Sequence, residues 1–419
     1  MVTVIDGDLS RPVPRAHVHL GRAAGVTDRH GQVVLPVARR TSSEVTVRAR
    51  GYTATTRRFF FRHHPFVRFR VYQPRLQWPL YGAVPTRTQA QTRIRVRPPF
   101  RIVWSRGIGT LIEFPAVVSD GMAYIGNARG SIRALSMRTG KIAWRRDTPH
   151  GKMAASPAVV GDQVVAHGMD GRVWVLDRSS GRLLRHFTVG APIESSPIVR
   201  HGIDYFGSWN GNVYALDLRR HRLRWVFHGG YKITSSAALS GRTLFIGDYG
   251  GRLLALSART GRLRWSTSVN GRVYGTPAVA RGRVFVPSSD GNSLTAFTTG
   301  GRRLWRVSTG SYVYSSPAVW AGRVFFGSYN GVFYCASASS GRILWEVGTG
   351  GPISGAAVVV DGVAYAGNFA HRIVGVDARS GRVLLRFPHG YYVPVSGNGG
   401  RLLMHGFSRI FAVEPRRRR

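Results

Sequence analysis

The chain has 419 residues, enough for a large core and more than one domain. Sixty Lys and Arg oppose 19 Asp and Glu, a formal net charge of +41, and there is a single cysteine, Cys335. These figures exclude an internal disulfide framework and a cysteine-built metal site. No apolar run approaches the ~20 residues a bilayer-spanning helix needs. The basic residues are 57 Arg against 3 Lys (Lys141, Lys152, Lys232). A GC-rich genome produces such a skew, but it does not explain the shortage of acids. The excess charge is suited to an anionic partner: nucleic acid, an envelope polymer or an anionic membrane face. The first residues lack a basic-then-apolar leader, so a leader or anchor upstream is expected.

Residues 1–73 read as a separate domain. Val2, Val4, Val18 and Leu20 alternate with polar residues, as half-buried strands do. Turn signals at Asp6-Gly7-Asp8, Asp28 to Gly31 and Arg50-Gly51-Tyr52 separate the runs. The pattern Asp6, Pro12-Val13, Ala16, Val18, Leu20, Thr27-Asp28, Gly31, Leu35-Pro36 and 45–52 (VTVRARGY) resembles the carboxypeptidase regulatory-like (transthyretin-like) domain. The resemblance implies a small antiparallel β-sandwich without catalytic residues. His17 and His19 share one strand face but have no third ligand nearby, so they read as surface histidines.

Residues 74–99 carry Pro74, Pro79, Pro85, Pro98 and Pro99 and read as a linker. From residue 100 to 414 a pattern of four short apolar runs returns about every 40 residues, marked by Trp104, Trp144, Trp225, Trp265, Trp305 and Trp345. Arg185 and Leu385 hold the same phase without the indole. Asn-Gly or Asp-Gly at Asp170, Asn210, Asp290 and Asn330 predicts a tight hairpin inside each unit. Each unit is then a four-stranded antiparallel meander with two apolar faces, and a ring of such units covers both. Seven complete units begin near Phe114, Ser156, Ser196, Ser236, Thr276, Ser316 and Gly355. Three runs remain after them, and the missing fourth stands before the first unit, at 101–105. The expected fold is all-β, an eight-bladed propeller closed by sharing one blade between its two ends. Residues 415–419 form a short basic tail.

The phrase Ala-x-Ser/Asp-x-x-Thr-Gly-x-x-x-Trp, at 134–144 and 255–265, together with Ser-Pro-Ala-Val at Ser156 and Ser316, resembles the quinoprotein (PQQ-type) repeat. That repeat occurs in PQQ dehydrogenases and in outer-membrane assembly lipoprotein propellers. Trp78 to Gly82 followed by Arg87-Thr88 resembles the lead-in to such repeats. The resemblance implies tryptophans that dock blade on blade. For the dehydrogenase branch it also implies PQQ stacked in the central funnel with calcium. One cysteine and few acids depart from that branch, so no cofactor is expected, with PQQ and calcium as the alternative.

No catalytic constellation stands out. Asp177, Asp217 and Asp377 sit where other units carry Ser136, Ser257 and Ser337, so turn-capping explains them. The face built by loops between units and by hairpin tips is the candidate binding surface. It holds Glu113, Lys152, Glu194, Trp209, Lys232, Tyr249, Arg272, Tyr274, Tyr312, Tyr314, Tyr329 and Tyr392. Tyr231, Phe369, Tyr391 and Phe407 stand close by. Aromatics beside cations suit sugars, peptides or anionic polymers; packing of neighbouring loops is the plainer use. The expected protein is a monomeric, non-catalytic binding or scaffolding propeller outside the cytoplasm. A PQQ-dependent dehydrogenase and the sensor portion of an envelope receptor are the alternatives.

Overall fold

Runs such as Val332–Ser337 bury four successive side chains, because a strand inside a stack of sheets is covered on both faces. The structure is a computed structural model and describes residues 1–37, 41–61, 66–149 and 151–416. Its contacts divide the chain into two compact units: residues 1–77 with the short segments 119–121 and 398–400, and the rest of the described chain. In the second unit the apolar runs form eight sheets, seven of four strands and one in which Ala90–Gln91 adds a fifth, parallel strand to the inner edge. Seven are meanders in chain order, blades 1 to 7, at 117–147, 158–188, 198–228, 238–268, 278–308, 318–348 and 358–387. Blade 8 joins Ser396–Gly397, Leu402–His405 and Arg409–Pro415 to Phe100–Gly107. In that pairing Ala412 faces Trp104 and Ile410 faces Arg106. The two ends of the repeat region thus share one sheet, as expected from the sequence.

The tryptophan phase locks each blade to the next. Indole Nε1 of Trp104, Trp144, Trp225, Trp265, Trp305 and Trp345 donates to the carbonyls of Met137, Arg178, Ala258, Thr299, Ala338 and Ala378, at 2.9–3.3 Å. The ring lies on a glycine of the same turn: Gly140, Gly181, Gly261, Gly301, Gly341 or Gly381. Each has positive φ, and a Cβ there would stand 2.5–3.0 Å from the indole. Arg185 replaces the indole with a guanidinium that donates to the Leu218 carbonyl at 2.6 Å. Asp177, Asp217 and Asp377 accept backbone N–H groups of their own turns. The Ser179 and Ser180 hydroxyls, joined by those amides, hold the Asp177 carboxyl down at about 2.

A second ring of bonds runs inside. The Ser156, Ser196, Ser236 and Thr276 amides donate to the side-chain oxygens of Ser196, Ser236, Thr276 and Ser316, each 40 residues on, at 2.8–3.1 Å. Ser156 Oγ passes the chain back to the Pro115 carbonyl at 2.7 Å. Between blades 8 and 1 a histidine takes over. His405 Nε2 accepts the Ala116 amide at 3.1 Å while Nδ1 donates to the Pro394 carbonyl at 2.6 Å. Acceptance at Nε2 requires the neutral ring, and complete burial pushes the imidazole down to about 4.

The proline-rich segment differs from the expected linker. Its carbonyls at Trp78, Pro79, Pro85, Thr86, Thr88 and Gln89 accept the amides of Val118, Val159, Leu239, Val279, Val319 and Val359 at 2.7–2.9 Å. Each donor is the middle residue of one blade's innermost strand, whose N–H would otherwise be unpaired. Proline lacks N–H but keeps its carbonyl, so it serves here. Arg87, 1% exposed, bonds the carbonyls of Tyr81, Ser196, Pro197 and Ala237. Residues 78–91 therefore seal one end of the channel as part of the propeller.

The first unit has a three-stranded and a four-stranded sheet around Val4, Val18, Val45, Val47, Phe69 and Val71. It differs from a wholly antiparallel sandwich in one pair, since Val2–Asp6 runs parallel to Val67–Val71. His17 and His19 are exposed on one face of their strand. At the other end of the chain, Glu414 pairs with Arg101 and Arg401; Arg417, Arg418 and Arg419 of the basic tail lie outside the described residues.

Two tests follow from these bonds. Trp305→Ala and Gly341→Ala should each lower unfolding free energy in urea by about 1–3 kcal/mol. The double variant should lose clearly less than their sum, since both break one stack. Because folding depresses the His405 pKa from 6.5 to about 4, its stabilisation is complete above pH 6.5 and fades as pH falls towards 4. The stability difference between wild type and His405→Gln should shrink by about 3 kcal/mol across that window; a constant difference would show that the ring is not held neutral.

Candidate functional site

The loops that leave each outer strand for the next blade, and the hairpins between second and third strands, surround the open end of the channel. The hairpins turn on positive-φ residues: Gly171, Gly211 and Gly331 at the Asp-Gly and Asn-Gly signals, and Asn292 where Asp290-Gly291 adds a residue. Below them a cavity of about 70 Å³ is lined by Glu113, Glu194, Tyr274, Tyr314 and Tyr392. Its lower wall is the inner ring, Ser236, Thr276 and Ser316, and Tyr81 of the sealing segment, whose hydroxyl bonds Ser316 Oγ at 3.1 Å. The channel is thus a blind funnel.

Glu194 is the polar centre. Its Oε1 accepts the Tyr274 hydroxyl at 2.8 Å and its Oε2 the Trp209 indole N–H at 3.1 Å. Burial raises the Glu194 pKa, and burial with the adjacent Glu194 charge pushes Tyr274 far up. The Lys232 ammonium lies 3.3 Å from the Trp209 ring centre and 5.0 Å from that of Tyr249; desolvation lowers its pKa. Glu113 is paired with Lys152 at 2.7 Å. Arg272 turns aside to Asp290, at 3.1 Å.

The remaining aromatics form a continuous arc. Tyr274 meets Tyr314 edge-on at 5.2 Å, and Tyr314 meets Tyr312 and Tyr329 at 5.7 and 5.0 Å. Tyr329 leads to Phe369, and Phe369 to Tyr391 and Tyr392. Tyr391 reaches Phe407. The hairpin tips Trp209, Tyr249, Tyr329 and Phe369 are half-buried against these neighbours rather than standing free, while Tyr231, Tyr312 and Phe407 are exposed. Of the twelve expected residues, five line the cavity; Lys152, Trp209, Tyr312 and Tyr329 touch those five, Lys232 and Tyr249 lie further out, and Arg272 is turned to Asp290. Tyr81 and the inner hydroxyls were missed, because Tyr81 lies outside the repeat and the hydroxyls read as turn residues.

The donor set does not fit PQQ with calcium. Calcium takes about six to eight oxygens, whereas the two carboxylates here are already bonded to Lys152, Trp209 and Tyr274. Among the described residues no three His, Cys, Asp or Glu come together to hold a metal. Cys335 is buried in blade 6, and burial pushes its thiol up to about 11.

Comparison with known proteins places this geometry in a family. A family model described as outer membrane protein assembly factor BamB matches residues 101–229, 209–313 and 292–404. BamB of Bordetella pertussis is 27% identical over 97 residues, 23% of this chain and 25% of that relative, so the chain spans about a quarter of the relative's length. The solved structure of BamB from Moraxella catarrhalis aligns with a TM-score of 0.65 at 17% identity, over 77% of this chain and 99% of that one. The quinohemoprotein alcohol dehydrogenase from Comamonas testosteroni aligns with a TM-score of 0.69 at 13% identity, over 82% of this chain and 81% of that one. At such identities the two structures show a shared fold alone. The family match spans most of the chain, and the protein belongs to the PQQ-like repeat, BamB-type propeller family.

Proposed function

We propose that the protein is a non-catalytic scaffold of the cell envelope, working outside the cytoplasm at the outer membrane, and that it holds a protein partner on its funnel face. The observation that carries this reading is the state of the funnel's acids. Glu113 and Glu194 are engaged by the chain's own donors, so they shape a surface instead of presenting a free acid or base. Around them, rings from Tyr274 to Phe407 offer a rigid apolar arc with hydroxyls at its edge, the chemistry by which aromatic residues anchor protein partners. The names of the family and of its relatives support the assembly role. The N-terminal sandwich is read as a carboxypeptidase regulatory-like module without catalytic duty.

The test uses the full chain as bait with envelope extract. Tyr314→Ala with Tyr329→Ala should reduce retention of its partner at least about tenfold while unfolding stays cooperative, since anchor residues in an interface cost upward of ~2 kcal/mol each. Undiminished retention would contradict the reading. Added PQQ and calcium with alcohols or sugars should give no dye reduction, and reduction at enzymic rates would contradict it as well.

A further inference from the structure

The end of the propeller opposite the funnel carries a groove of different chemistry. Between blades 3 and 4 lies a cleft of about 670 Å³. Its floor is apolar: Ile203, Tyr205, Trp225, Leu239 and Ala258. Its rim is cationic, with the exposed Arg200, Arg224, Arg242 and Arg259 and the neighbouring His201. Tyr205 and Trp225 pack together at 5.9 Å, and the Trp225 N–H is spent on the Ala258 carbonyl. The floor therefore offers ring faces and aliphatic carbon.

The rim charges are weakly answered. Asp217 stands 3.7 Å from Arg224, but it also serves Arg220 at 3.2 Å and is itself only 4% exposed. Arg200 bonds the Gly241 carbonyl and His201. Among the described residues, the Arg242 and Arg259 side chains have no hydrogen-bond or ion-pair partner. From residue 195 to 265 eleven Lys and Arg oppose three Asp and Glu, and all three acids, Asp204, Asp217 and Asp248, are buried. The corresponding groove between blades 5 and 6 is smaller, about 320 Å³, and its rim has only Arg281 and Arg283. The cationic rim is thus denser here than at the groove between blades 5 and 6.

Guanidinium groups recognise phosphate through paired, planar N–H donors. An inorganic anion would not need the apolar floor, whereas an amphiphile uses both parts. We propose that the groove between blades 3 and 4 docks the headgroup of an anionic phospholipid, with the phosphate among Arg200, Arg242 and Arg259 and the glycerol and upper acyl carbons on Tyr205, Trp225 and Leu239. This rests on the envelope location proposed above. It would turn one face of the propeller to the membrane and leave the funnel free for its partner.

The test is flotation of the full chain with vesicles of equal parts phosphatidylglycerol and phosphatidylcholine, against vesicles of phosphatidylcholine alone. Ionic strength is held near 0.15 M, where diffuse attraction is screened beyond about 8 Å. The wild type should float with the anionic vesicles only. Arg242→Glu with Arg259→Glu should weaken binding at least about tenfold, while Arg302→Glu with Arg303→Glu, an equal charge change on blade 5, should stay within about twofold. Pyrophosphate at matched ionic strength should displace the wild type. Equal losses in both variants, no displacement, or pyrophosphate binding without vesicle binding would each overturn the assignment. Retention of the funnel's partner is read separately, so a failed groove and a failed funnel are distinguishable.

Discussion

A four-stranded meander with apolar residues on both faces has no stable existence in water by itself. Covering both faces of every sheet with the next sheet leaves one solution, a closed circle, and the rest of the molecule follows from that need. The outer turns are fixed by indoles lying on positive-φ glycines. The inner strands are fixed by hydroxyls spaced 40 residues apart. Where the circle meets itself, a strand from before the first blade completes the last, and His405 replaces the missing hydroxyl.

Closing the circle creates a further problem at its centre, where the innermost strand of every blade exposes unpaired amides to the channel. The segment at 78–91 answers six of the eight with its own carbonyls, and Arg87 ties it to the approach of blade 3. The same segment brings Tyr81 under the cavity and makes the funnel blind. The two ends of the propeller are therefore chemically unlike: an aromatic bowl around satisfied carboxylates at one, and an arginine-rimmed groove between blades 3 and 4 at the other.

Much of this was legible in the sequence because it repeats. The spacing of Trp104 to Trp345, the Asn-Gly and Asp-Gly hairpins and the odd strand at 101–105 give the blade count and the closure without reference to contacts. The aspartates at 177, 217 and 377 were legible as turn residues because serine occupies the same phase elsewhere. What occurs once was not legible. Residues 78–91 use carbonyls in place of side-chain periodicity, so prolines that suit the inner seal look like a linker. His405 stands in for a hydroxyl with no repeat partner to betray it. In the candidate site, spacing brought Tyr274, Tyr314 and Tyr392 to one cavity, but it could not show that Glu194 was already bonded by Trp209 and Tyr274, or that Lys232 lies on the Trp209 ring. Those contacts depend on rotamers across blades.

Hydrogen exchange at the seam tests closure most directly. If the circle is sealed by the pairing of Phe100–Gly107 with Arg409–Pro415, the ladder amides of both strands should be protected to the same degree as those of the central strands in blades 3 to 6, and should open only with them. Rapid exchange at residues 101–106 while the central blades stay protected would mean the two ends are not joined, and the ring would have to be held by some other contact.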